Sequence, residues 1–199
     1  MVAPFARENI GYQQREIVNV NGKRWIGERV AQLLSEAQSC FLGTGTTVEM
    51  VARALPDDIR LAVCTNNLHA ATPLSLLPGC ELTVAGGRVR KRDLDVIGSD
   101  ALTFFRRYRV DIGVVSVGGI GEEGELYDFN DEEVVARQAL VASAEVNVLV
   151  VDSTKFGRRA MCRNGDIGDF DYVVSDRAPT GPQSDLLAQR RTQWLCREE

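Results

Sequence analysis

Apolar residues recur along this chain at two alternating spacings. From Asn21, the residues Ile26, Val30, Leu33 and Leu34 fall at helical intervals, which predicts a helix over about residues 21–35. Cys40 to Leu42 then reads as a short strand that ends at Gly43, and Val48, Val51, Ala52 and Leu55 mark a second helix with Pro56 beyond it. Arg60 to Cys64 predicts a strand, a third helix stops near Pro78-Gly79, and Glu81 to Val84 is the next apolar strand. After Gly86-Gly87, residues 88–95 read as a charged loop or edge strand, followed by a helix through Leu102, Phe105 and Tyr108. Val110 to Val117 is a buried strand, residues 121–129 a glycine- and acid-rich loop, and residues 131–144 a helix. The strand Val146 to Val151 runs straight into Asp152-Ser153-Thr154-Lys155, and Tyr172 to Ser175 is the last strand predicted. This alternation describes an α/β domain, a mostly parallel sheet flanked by helices, in which ligands sit beyond the carboxyl ends of the strands. The first fourteen residues lack a period, so residues 1–20 read as a linker or tail and residues 21–199 as one domain.

Composition narrows the function classes. With 199 residues, 44% hydrophobic and 26% charged, the chain has an ordinary globular make-up. A net charge of −5 argues against direct, non-specific nucleic-acid binding, which needs a clustered basic excess. The apolar runs are too short to span a bilayer and no signal-peptide pattern opens the chain, so it reads as soluble and cytoplasmic, with no membrane partner. Five scattered cysteines without C-x-x-C spacing and the single histidine His69 call for no disulfide framework, metal site or cofactor.

The candidate chemistry lies at strand ends. Gly43-Thr44-Gly45-Thr46-Thr47 stands between a strand and a helix, where unpaired backbone N–H groups and the positive helix end attract an anion; a tight turn capped by threonine is the simpler alternative. The loop has no lysine for a Walker A motif, and Val48 stands where a dinucleotide fingerprint needs its third glycine. A phosphomonoester therefore suits the loop better than ATP or NAD. Thr65, Asn66 and Asn67 end the next strand and face the same crevice if the strands are neighbours, although capping of the following helix by asparagine is an equal reading. The run containing Gly87 and Arg90 could bring a guanidinium near the crevice, or be a solvated basic loop. Asp128 and Glu133 belong to an acidic cluster at a helix start, where the dipole favours negative charge whatever the function. Lys155, just past a strand end, suits a phosphate contact, with an ion pair to Asp152 as the alternative.

G-T-T-V-E-M-V-A at 45–52, T-N-N-L-H-A-A at 65–71, A-G-G-R-V-R at 85–90, D-F-N-D-E-E-V at 128–134 and V-D-S-T-K-F-G-R-R-A-M at 151–161 together resemble the sensor domain of DeoR-family transcriptional repressors, in order, from about residue 22 to 176. The T-N-N-L form and the K-F-G-R-x-A-M run are similar to members that control glycerol 3-phosphate regulons. The resemblance implies a fold shared with ribose 5-phosphate isomerase and glucosamine 6-phosphate deaminase. It also implies that Gly45, Thr46 and Thr47 cradle a phosphate, that Thr65 and Asn66 line the crevice and that Lys155 reaches the ligand; Glu133 and Gly87 match motif positions less directly tied to contact. It implies a non-enzymatic regulator whose effector is a phosphorylated polyol or sugar, with glycerol 3-phosphate as best candidate. Operator DNA would be reached only through an amino-terminal winged helix-turn-helix that has no counterpart here, and the protein would act as a homodimer or homotetramer. Many relatives carry an Asp where this chain has Gly43, which leaves the exact polyol or sugar open. The rival expectation is a sugar-phosphate isomerase or deaminase with Asp128 and Glu133 as acid and base and Lys155 as electrostatic partner.

Overall fold

The structure, a computed structural model, describes residues 9–197. In chain order its elements are α1 (Tyr12–Glu16), α2 (Val20–Leu34), β1 (Ser39–Leu42), α3 (Thr46–Ala54), β2 (Leu61–Thr65), α4 (Leu68–Leu74), β3 (Cys80–Val84), β4 (Val89–Arg90), β5 (Asp95–Val96), α5 (Gly98–Arg106), β6 (Val110–Val115), β7 (Gly119–Ile120), β8 (Glu125–Asp128), α6 (Asp131–Ala142), β9 (Ala144–Val150), β10 (Cys162–Asp166), β11 (Tyr172–Ser175), α7 (Gly181–Arg190) and β12 (Gln193–Cys196). Single 3-10 turns occupy Ser153–Lys155 and Ile167–Asp169.

Among the described residues, seven strands form one sheet in the order β12-β11-β9-β6-β1-β2-β3, and every pairing in it is parallel. The chain builds outward from β1 through β2 to β3, then returns to the other side of β1 and continues through β6, β9, β11 and β12. The strand order therefore reverses between β1 and β6, the place where a parallel sheet opens a crevice at its carboxyl end.

Side chains alternate across each strand, so each central strand feeds two cores. Cys40, Leu42, Val114, Val148 and Val150 pack with Ile26, Val30 and Leu34 of α2 and with Val48 and Val51 of α3. Phe41, Val115 and Leu149 pack on the opposite face with Phe104 and Phe105 of α5 and Leu140 of α6. Helix α2 lies close against α3 because Gly27 has no side chain; a Cβ there would stand 2.5 Å from the Met50 carbonyl oxygen. No helix among the described residues is long and apolar enough to cross a membrane.

The structure differs from the sequence reading in three places. Residues 9–16 are not a loose connector: Tyr12–Glu16 is a helix, and Tyr12 is 4% exposed. Of the linker expectation, residues 1–8 lie outside the described residues, and Val20 already belongs to α2. The glycine-rich stretch at 121–129 contains β8, the middle strand of a small antiparallel sheet ordered β10-β8-β7. A further parallel strand, β12, follows α7 at the sheet edge. In the first and third cases the segments are too short for a period to show: α1 is fixed by Tyr12 against Glu49 of α3 and His69, and β12 by its pairing with β11. Residues 88–95, read as loop or edge strand, pair as the β4–β5 hairpin, with Val89 opposite Val96 and Arg90 opposite Asp95.

Leu149, fully buried in β9, sits at the centre of one core. Leu149→Ala is expected to lower unfolding free energy by about 2–5 kcal/mol, read from urea denaturation; a loss under about 1 kcal/mol would contradict this packing.

Candidate functional site

A cavity opens at the strand-order reversal, lined by Gly43, Thr44, Gly45, Thr46 and Thr47 from the β1–α3 connection, Ser116 and Gly118 following β6, Asp128, Glu133 and Arg137 from β8 and α6, and Lys155 following β9. Asn66, Asn9 and Arg15 complete its polar lining, while Ile97, Phe105, Val115, Val117 and Leu140 supply apolar wall.

Helix α3 begins without a side-chain cap. Its N-cap residue, Gly45, has φ +106°, a backbone conformation that glycine adopts without strain. The Gly45 carbonyl accepts the Glu49 N–H (3.1 Å), so the first intrahelical bond is made, while the N–H groups of the preceding turn are left for another acceptor. α4 and α6 start differently: Asn67 accepts from the N–H groups of His69 and Ala70, and Asn130 from that of Glu132.

The β2–α4 connection holds the α3 loop in place. Asn67 Nδ2 donates to the carbonyls of both Gly43 and Gly45 (3.3 Å each), and Thr65 Oγ1 donates to the Leu42 carbonyl (2.6 Å). Thr65 and Asn67 thus support the loop from behind and are not among the lining residues. Asn66 does line the cavity; its Nδ2 donates to the Val96 carbonyl (2.7 Å), and its buried Oδ1 has no hydrogen-bond partner.

Lys155 is only 6% exposed and lines the cavity. Its ammonium makes no hydrogen bond or ion pair within the described residues, so the alternative reading, an ion pair with Asp152, does not form at contact distance. Burial pushes its pKa down to about 8, with Arg158, Arg15 and Lys23 acting in the same direction and Asp152 against it. Its position is fixed by the 3-10 turn, where Lys155 N–H donates to the Asp152 carbonyl (3.0 Å) and Asp152 caps Thr154. Gly157 N–H then pins the following segment to the Ile120 carbonyl of β7 (2.8 Å).

Across the cavity, Asp128 accepts from the Gly118 N–H (2.8 Å) and pairs with Arg137 Nη1. Burial raises the Asp128 pKa, opposed by the Arg137 charge. Arg137 Nη2 is buried without a partner. Glu133 is held by Arg90 Nη2 (2.5 Å), and Arg90 also grips Asp95 through Nε and Nη2 (2.9 and 2.7 Å). Arg90 therefore stands behind the wall on three carboxylates, Asp93 being the third at 3.4 Å. Gly87 is likewise not in the lining and packs against Asp100.

Of the residues singled out from sequence, the loop 43–47, Asn66, Asp128, Glu133 and Lys155 converge on one cavity, whereas Thr65, Asn67, Gly87 and Arg90 do not reach it. Asn9, Arg15, Ser116 and Arg137 were missed. Arg137 lies one turn beyond Glu133 on the α6 pattern and could have been found from that spacing; Asn9 and Arg15 gave no signal, because they fall in a stretch without periodicity. No group of residues among those described could hold a metal ion.

Residues 18–177 match the family model of the DeoR C terminal sensor domain. The chain belongs to this family. The DeoR sensor domain is 33% identical over 194 residues to the glycerol-3-phosphate regulon repressor of Escherichia coli K12, covering 97% of this chain and 77% of that protein. It is 31% identical over 191 residues to the HTH-type transcriptional repressor CsqR of the same organism, covering 96% of this chain and 73% of that protein. These relatives are transcriptional repressors. Ribose 5-phosphate isomerase A from Methanocaldococcus jannaschii superposes with a TM-score of 0.50 at 17% identity, over 69% of this chain and 55% of the enzyme. That likeness is one of fold alone, and the seven-stranded parallel sheet agrees with it.

Asp128 and Arg137 form the buried pair of the sensor-domain wall. Asp128→Ala leaves the guanidinium uncompensated and is expected to cost about 3–5 kcal/mol of stability, whereas Asn67→Ala, which removes the α4 cap, costs about 1–2 kcal/mol; chemical denaturation of both variants checks the ranking.

Proposed function

We propose that this DeoR sensor domain binds a phosphorylated polyol or sugar, with glycerol 3-phosphate as the first candidate, and that binding releases the full-length repressor from its operator. The observation that carries this reading is a buried lysine without a partner among the described residues, on the same cavity as an uncapped helix start. An unpaired buried ammonium is costly, and a dianionic ester would satisfy it together with the N–H groups of Thr46 and Thr47. Asn66 Oδ1 and Arg137 Nη2, both buried without partners, would take hydroxyl groups on the remainder of the ligand. The name of the Escherichia coli relative supports glycerol 3-phosphate as effector. DNA would be contacted through a winged helix-turn-helix region and the assembly would be a homodimer or homotetramer, matching the two-fold of typical operators. Release requires the ligand to favour the DNA-incompetent state, by a coupling of roughly 1–3 kcal/mol.

The isomerase or deaminase reading has less support. Asp128 and Glu133 are each engaged by an arginine, which leaves neither poised as a base against a substrate carbon.

A thermal-shift titration tests the proposal. Glycerol 3-phosphate at a hundredfold over its Kd should stabilise the protein by about 2.7 kcal/mol, and glycerol alone should not. Lys155→Met should abolish the shift while leaving the ligand-free protein at least as stable, since a buried unpaired charge is removed; retention of the full shift in this variant would overturn the assignment.

The pH dependence has a definite sign. A ligand dianion favours charged Lys155, so above a pKa of about 8 each binding event must take up a proton. Affinity should therefore fall as pH rises past 8, by roughly tenfold between pH 7 and 9, as measured by calorimetry. In the ligand-free protein the lowered lysine pKa acts oppositely, and its destabilising contribution fades as pH rises through the same value.

A further inference from the structure

Residues 9–16 border the cavity through Asn9 and Arg15 and are fastened at both ends. Tyr12 stacks on His69 with centroids 3.8 Å apart and planes at 8°, and its O–H donates to Glu49 of α3. Asn9 is held by Arg92 through its carbonyl and by Arg158 through Oδ1 (3.2 Å). Lys23, 2% exposed, donates to the Arg15 carbonyl. The segment is thus tied to α3, the helix whose start forms the proposed anion seat, and two of its side chains, Asn9 and Arg15, line the cavity.

Arg15 is divided in its bonding. Its Nη2 pairs with Asp93 and its Nε donates to the Ile10 carbonyl (3.2 Å), while Nη1 makes no hydrogen bond within the described residues. A guanidinium in this state can accept a second anion without releasing the first, because its donors are spread around a rigid fork.

We infer that Arg15 is a ligand-binding residue, which keeps Asp93 on Nη2 and offers Nη1 to the anionic end of the molecule in the cavity. The inference rests on the proposal that the cavity takes a phosphorylated ligand. It adds a contact from a segment outside the sheet, so that occupancy cross-links this strap, the α3 start and the β4–β5 hairpin that carries Asp93. The like charges of Arg15, Arg158 and Lys23, which help to lower the Lys155 pKa, are the positive field that such a ligand would neutralise.

The test combines calorimetry with hydrogen exchange read by mass spectrometry on the whole chain, with glycerol 3-phosphate and inorganic phosphate as probes. Arg15→Gln should weaken glycerol 3-phosphate binding by about tenfold or more, as for one lost charge-assisted hydrogen bond, whereas Asp93→Asn, which breaks the pair but keeps the guanidinium, should stay within about threefold. Ligand should slow exchange at residues 9–16 and 44–48 in the native chain, and at 44–48 alone in Arg15→Gln. Equal weakening by the two substitutions would reduce Arg15 to a fastening of the strap and overturn the inference. So would protection of 44–48 with 9–16 unchanged, an outcome that leaves the phosphate seat standing. No protection at either segment with any probe would remove the seat and the inference together.

Discussion

The start of α3 has no acceptor of its own, and much of the cavity's chemistry depends on that deficit. A helix terminus normally finds a side-chain oxygen for its first N–H groups, and here the residue in that position is Gly45, which has none. The deficit stands at the one point where the strand order reverses, so the sheet itself keeps the space above it open. Arg137 extends the imbalance in the same sense, with Nη2 buried and unpartnered among the described residues, and Lys155 adds an ammonium that makes no hydrogen bond or ion pair among them. A binding protein can carry such unsatisfied groups where a pure scaffold would eliminate them, because the missing partner arrives as ligand.

The carboxylates of the cavity obey the opposite rule. Asp128 and Glu133 are both matched to arginines, and Arg90 gathers Glu133, Asp95 and Asp93 behind the wall. The carboxylates on the cavity are thereby matched by positive charge, in a chain whose net charge is −5. In this sensor domain the two cavity acids serve as structural counter-ions to arginine.

The sheet was legible in the sequence because its central strands are buried on both faces and read as continuous apolar runs, as at Val146 to Val151. The place of Gly43 to Thr47 on the cavity was legible too, since glycine between threonines stands there at a strand-to-helix joint. Asn67 was placed on the right loop, and of its two readings the cap of α4 is the one the structure shows; Thr65 turns to the Leu42 carbonyl and not to the cavity, a choice that residue type does not encode. Arg90 looked available because a sequence shows its charge and not the three carboxylates folded around it. Residues 9–16 were passed over entirely, as a five-residue helix held by one tyrosine and scattered ion pairs leaves no periodic trace.

The seat and the opposite wall come from separate stretches of chain. Gly43 to Thr47 and the asparagine that clamps them all lie between residues 39 and 74, whereas Ser116, Gly118, Asp128 and Arg137 lie between 110 and 142. Inherited changes in the second stretch can reshape that wall of the cavity while the first stretch stays untouched. One backbone can in this way carry cavities of different outline above an unaltered loop.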